Sequence, residues 1–203
     1  LSVLPRREER SDGQGLRRGL ARMFIAGAIG LAAWPALANP LVQEGWECVP
    51  FARAISGIQL YGDAWTWWEK ARGLYAEGRR PEQGAVLVFK PHGVMSKGHL
   101  AVVSRIVTKR VVMVTHANWS RIGGVRGRAE QDVTVIDASA NNDWSLVRVW
   151  YRDNTGLGGT TYPTYGFIYG RPVDGSKAPL ARPAPQLTGS SPDYVGAMID
   201  SVG

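Results

Sequence analysis

The residues of this chain best suited to chemistry are its single cysteine and a histidine well downstream of it. Cys48 lies in Trp46-Glu47-Cys48-Val49-Pro50-Phe51-Ala52-Arg53, and Gly98-His99-Leu100-Ala101-Val102-Val103 follows later. A thiol becomes a nucleophile when its pKa is lowered and a base stands near. A short helix is predicted over Cys48–Ile55, with Pro50 in the first turn, where a missing N–H does no harm. Its N-terminal N–H groups and dipole would favour a thiolate and could hold an oxyanion. His99 opens an apolar strand, and its imidazole could take the thiol proton and return it to a leaving amine. A lone cysteine is often only a small buried hydrophobe; the histidine context favours chemistry.

A third group should orient the imidazole. Strands over His99–Val107 and Val111–Trp119 are predicted to fold about Thr108-Lys109-Arg110. Reflection about residue 109 puts position 119 opposite His99, with Asn118 close by. Asn118 is the preferred orienting residue, because its amide oxygen can accept from a ring N–H. His116 shares that strand face by alternation and is the alternative. Trp46 and Trp119 flank these residues and are candidates to line a substrate groove. His92 reads as a solvent histidine. Asp132, Asp137 and Asp143 lack ligand spacing and read as surface carboxylates, so no metal is expected. Arg121 to Arg128 form a basic, glycine-rich loop without a phosphate-loop pattern.

The elements that must position these groups follow from hydrophobic period. A second helix is predicted over Ala64–Arg72, with Asp63 and Gly73 as caps and Trp65 and Trp68 on its buried face. Strands are predicted at Ala85–Lys90, His99–Val107, Arg110–Ala117, Asp132–Asp137 and Ser145–Tyr151, with a sixth at Thr164–Tyr169. Helices first and strands after imply an α+β fold, N-terminal helices packed on an antiparallel sheet of five or six strands.

Residues 1–38 look like a leader. Arg17, Arg18 and Arg22 precede the apolar run from Met23 to Ala33, and Ala36-Leu37-Ala38 supplies a small-x-small cleavage site. The run is short for a membrane span, which needs about 20 apolar residues. Residues 39–170 are then the folded domain. Residues 171–203, dominated by Pro, Gly, Ser and Ala, are expected to be disordered. An exported chain with one cysteine cannot close an internal disulfide, so the thiol is idle, paired with another chain, or used in chemistry, and the downstream histidine favours the last. The net charge of +7 includes +3 from the leader, where six arginines face three acids. The mildly cationic remainder suits a polyanionic wall or membrane surface, and no basic, aromatic-interleaved stripe argues for nucleic acid.

The segment Glu47 to Arg53, the stretch Gly62-Asp63-Ala64 through Trp67-Trp68, Gly84 before a strand, Gly98 to Val103, and Ala117-Asn118-Trp119 resemble the CHAP domain family. CHAP abbreviates cysteine, histidine-dependent amidohydrolase/peptidase. The resemblance spans roughly residues 42–120. It implies a papain-like α+β fold and hydrolysis of amide bonds, commonly in peptidoglycan, without a cofactor. It maps the nucleophile to Cys48, the base to His99 and the orienting residue to Asn118. Many members carry an acid two residues before that Asn, where this chain has His116. Glu47 stands where similar domains often have Gln, and an outward-turned Glu47 is expected, since its charge would raise the thiol pKa. The expectation is an exported, monomeric enzyme of the periplasm or cell exterior, meeting the membrane only through its leader. The alternatives are an NlpC/P60-type thiol peptidase using His116, a noncatalytic wall-binding module, and an amidase for a small peptide-like conjugate.

Overall fold

The computed structural model describes residues 45–181, so the leader lies outside the described residues. Helix α1 spans Cys48–Ser56 and buries Phe51, Ala52 and Ile55. Each large apolar side chain buried this way stabilises the fold by about 1.5–3 kcal/mol. Gly57, at φ 75°, ends α1 with its N–H on the Arg53 carbonyl, in the left-handed conformation a glycine adopts freely. The predicted second helix is a 3-10 turn over Ala64–Thr66 running into α2, Trp67–Ala71. Its fully buried tryptophan is Trp67, whereas Trp65 is among the exposed hydrophobics. The change from 3-10 to α winding rotates the helix face, so an α-helical wheel over the whole segment picks the wrong ring.

Eight strands follow: β1 Tyr75–Gly78, β2 Val86–Phe89, β3 His99–Thr108, β4 Val111–Ala117, β5 Ala129–Asp137, β6 Leu146–Tyr151, β7 Gly156–Leu157 and β8 Tyr162–Pro172. All pair antiparallel in the order β1-β8-β2-β3-β4-β5-β6-β7, and β8 pairs a second time, with β6. That second pairing, Leu146↔Pro163 and Val147↔Tyr162, closes β8, β2, β3, β4, β5 and β6 into a barrel.

The expected α+β sheet with helices packed on it is therefore incorrect. The described residues form a mostly-β molecule: a closed six-stranded antiparallel barrel with two extra strands and only two short α-helices. The reason is β8. Its eleven residues are long enough to pair with β6 at one end and with β1 at the other, while its middle pairs with β2. Gly166 allows the necessary bend: its φ is +135°, and a Cβ there would stand 2.5 Å from the Gly78 carbonyl oxygen. Hydrophobic period shows that a strand exists but not which strand closes on it.

Closure gives the strands two buried faces. Leu87, Phe89, Ala101 and Val103 point into the barrel with Val114, Val135 and Phe167. Val86, Val88, Leu100 and Val102 point outward and pack under Phe51, Ile55 and Trp67. Thus β2 and the first half of β3 are buried without alternation, as expected of strands covered on both sides. Asp137 also departs from expectation. It is buried, accepts from the Ser139 N–H and hydroxyl at 2.9 and 2.6 Å, and faces Arg110.

The fold continues past residue 170. The Val173 N–H donates to the Leu74 carbonyl, the Ala181 N–H donates to that of Gly170, and Ala181 joins the outer core. The rest of the expected tail, 182–203, lies outside the described residues. No helix among the described residues is long and apolar enough to cross a membrane.

Candidate active site

Cys48 is the first residue of α1, preceded by an extended Glu47 at φ −89° and ψ 151°. The sulfur packs against the cluster that holds Leu100, Val102 and Ala117, under the start of β3. Backbone N–H groups of Leu100, Cys48 and Val49 lie against it. The thiol therefore meets the residue immediately after His99, with two N–H groups of the helix terminus beside it. Burial pushes the Cys48 thiol up to about 11, the Glu47 charge adds to this, and the N–H groups oppose it. The helix terminus does act in the expected direction, but desolvation outweighs it.

Gly98 sets His99. Its φ is +68°, and a Cβ there would stand 2.5 Å from the Phe89 carbonyl oxygen and 3.1 Å from the Trp65 nitrogen. Only glycine lets β3 start so close to both. His99 pairs with Phe89 across β2 and turns its ring inward. There it meets the edge of Phe89 at 5.5 Å and Trp119 at 4.9 Å between ring centroids.

The group hydrogen-bonded to the His99 ring is His116: Nε2 of His99 and Nδ1 of His116 are 3.1 Å apart. Trp119 stacks on His116 at 5.5 Å and is itself buried, so it roofs both imidazoles. Asn118 is directed elsewhere, its Nδ2 donating to Glu47 Oε2 at 2.9 Å. Register is not what displaces Asn118: the β3–β4 ladder slips twice, from Thr108↔Val111 to Val102↔Thr115, and carried past its end it would set Asn118 opposite His99. Strand β4 then ends at Ala117, and Asn118 takes φ 64°, a left-handed conformation that ends the alternation of faces. Trp46 is half-buried and sets its ring edge-on to Phe51 at 5.6 Å. Glu47 is exposed, as expected.

Glu130 was not legible as a site residue. It stands directly opposite His116 in the β4–β5 register and is 2% exposed. Its Oε1 accepts from the Ser120 N–H at 2.8 Å and lies 4.0 Å from His116 Nε2; its Oε2 faces Arg152 Nε at 3.5 Å. A glutamate at the head of a buried strand was the available signal, but its partner depended on a third strand. The basic loop contributes Arg126, which donates to the Trp119 carbonyl and whose charge bears on His99. Among the described residues no group of side chains could hold a metal ion.

Both imidazoles are held neutral. His99 is lowered well below 6.5 by burial first, then by its neighbours His116, against which a second proton would be repelled, and Arg126; burial takes His116 down to about 3. In the unfolded chain each would protonate near 6.5. As pH falls below that value, the unfolded state takes up protons that the folded state refuses, so stability falls. The expected loss is up to about 1.4 kcal/mol per pH unit for each ring. Urea midpoints measured between neutral pH and about pH 5 should fall steadily, and His116→Gln should roughly halve the slope. A flat midpoint across that window would contradict the neutral pair.

The site thus holds a thiol at the head of α1, against the Leu100 N–H, and two hydrogen-bonded imidazoles from β3 and β4. Residues 39–118 match the family model of the CHAP domain. CHAP domains are typically amidase or peptidase domains with peptidoglycan-related roles. The match ends at Asn118, so β5, β6, β8 and Glu130 lie beyond it. No curated protein matches the chain.

Proposed function

We propose that this protein is an exported cysteine amidohydrolase or endopeptidase that cleaves amide bonds in peptidoglycan, with Cys48 as nucleophile, His99 as base and His116 as the group that orients His99. The observation that carries this reading is the 3.1 Å contact between the two imidazoles, with the Leu100 N–H beside His99 lying on the Cys48 sulfur. Nε2 of His99 is engaged by His116, which leaves Nδ1 for the thiol proton. Sγ attacks the amide carbonyl as that proton passes to Nδ1. Backbone N–H groups at the start of α1 stabilise the oxyanion. His99 then protonates the departing amine, and water, deprotonated by the same ring, hydrolyses the thioester. The chemistry needs no metal or organic cofactor. The leader supports export, and the cationic mature chain suits an anionic wall. The histidine pair is the arrangement expected of an NlpC/P60-type peptidase, here within a CHAP domain.

Because burial disfavours both charged forms, the resting pair is neutral thiol and neutral imidazole. Iodoacetamide should therefore alkylate Cys48 slowly at neutral pH and progressively faster toward about 11. A rate already at its plateau near neutrality would instead mean a resting thiolate–imidazolium pair. The same raised thiol favours a second reading, a wall-binding module that keeps the fold without turnover. Digestion of purified wall sacculi by residues 39–203, with mass analysis, separates the two. Fragments bearing new amine and carboxyl ends are expected, and sacculi that are bound but left intact would establish the binding module.

A further inference from the structure

A neutral imidazole carries one N–H and one lone pair. A single proton therefore lies in the contact between His99 Nε2 and His116 Nδ1. If His116 donates it, the one proton of His99 must sit on Nδ1, and that nitrogen cannot act as a base. If His99 donates from Nε2, its Nδ1 keeps a lone pair and can take the thiol proton. Nothing in the two rings alone decides between these states.

Glu130 decides it. Its buried carboxylate faces His116 Nε2 at 4.0 Å, and that nitrogen has no hydrogen-bond partner of its own. An ionised carboxylate accepts and never donates. It attracts an N–H on Nε2 and repels a lone pair there, and in a buried setting the difference is amplified. The Ser120 N–H on Oε1 and Arg152 facing Oε2 hold the carboxylate in place and offset its charge.

We propose that Glu130 is a positioning residue that selects the working tautomer of the histidine pair. Its carboxylate keeps the His116 proton on Nε2, which makes His116 Nδ1 an acceptor, draws the His99 proton to Nε2 and leaves His99 Nδ1 free for Cys48. A carboxylate is thereby supplied to the pair from β5, one histidine behind His99. The catalytic meaning of this selection rests on the hydrolase reading above; the tautomers themselves depend only on Glu130, His116 and His99.

The full chain has three histidines, one of them the exposed His92, so nitrogen-15 NMR near neutral pH can read the proton position on each ring. Both His99 and His116 should carry their proton on Nε2, and a His99 proton on Nδ1 in the native protein would overturn the proposal. In Glu130→Gln, which removes the carboxylate charge, the Nδ1-protonated form of His99 should appear beside the Nε2 form. The variant's kcat should fall by about the fraction of the Nε2 form lost, with KM changed less than about twofold. An unchanged tautomer or an unchanged kcat in that variant would equally overturn the proposal, and should the variant not fold, the native spectrum still decides. A protein with both protons on Nε2 that digests no wall would uphold the selection and sink the hydrolase reading alone.

Discussion

Cys48→Ala is expected to lower amide hydrolysis about 10⁶-fold, to the level of the bare site, because the bond-forming atom is gone. The fold should survive. Cys48 is half-buried at the first position of α1, and the side chains that hold the helix down are Phe51, Ala52 and Ile55. Losing one polarisable atom at the edge of the outer core costs about 1 kcal/mol at most, and the hydrolysis assay is paired with a urea midpoint to show it. His99→Ala should be as inactive but less stable, since its ring fills the space between Phe89 and Trp119. Wall hydrolysis by purified Cys48→Ala at the native rate would refute the covalent mechanism outright.

The second large effect is a ranking. His116→Ala should lower kcat by about 10³- to 10⁴-fold, comparable to removing the orienting member of a triad. Asn118→Ala should cost less than tenfold in activity. The ring of His116 is the group on His99 Nε2, whereas the amide of Asn118 is on Glu47. Without His116 the His99 ring loses both its acceptor and the reason for its tautomer. His116→Gln, whose side-chain carbonyl can still accept, should retain more activity than His116→Ala. Asn118→Ala acts mainly on stability, because alanine at φ 64° carries a backbone penalty of about 1 kcal/mol that asparagine tolerates better. The reverse ranking would return the orienting role to Asn118 and require the 118 side chain to leave Glu47 during turnover.

A good part of the molecule could be read from composition and period. Pro50 in a first turn and Gly57 after the last one bracket α1 within a residue of its bounds. Six strands were found because β-branched runs separated by turn residues have a local cause. Tyr75–Gly78 and Gly156–Leu157 were not found, because neither is apolar enough to register without its neighbour. The barrel was missed for a related reason. Leu146↔Pro163 and Val147↔Tyr162 join segments with no shared pattern, and only the packed molecule shows that β8 reaches β6.

Local residue order was enough to place a thiol at the head of a helix, an imidazole at the head of a buried strand, and a glycine before that imidazole. These follow from spacing, from turn chemistry and from backbone sterics, all of which act over a few residues. What stands behind His99, how far the thiol's ionisation is suppressed, and which carboxylate faces His116 were decided by tertiary structure alone. The left-handed turn at Asn118, beyond the end of β4, exchanges one candidate partner for another. Burial among the barrel's inner side chains then lowers both histidines, and packing of α1 on the outer face of β3 raises Cys48. Register and burial belong to the assembled chain, because each depends on strands that the neighbouring residues do not encode.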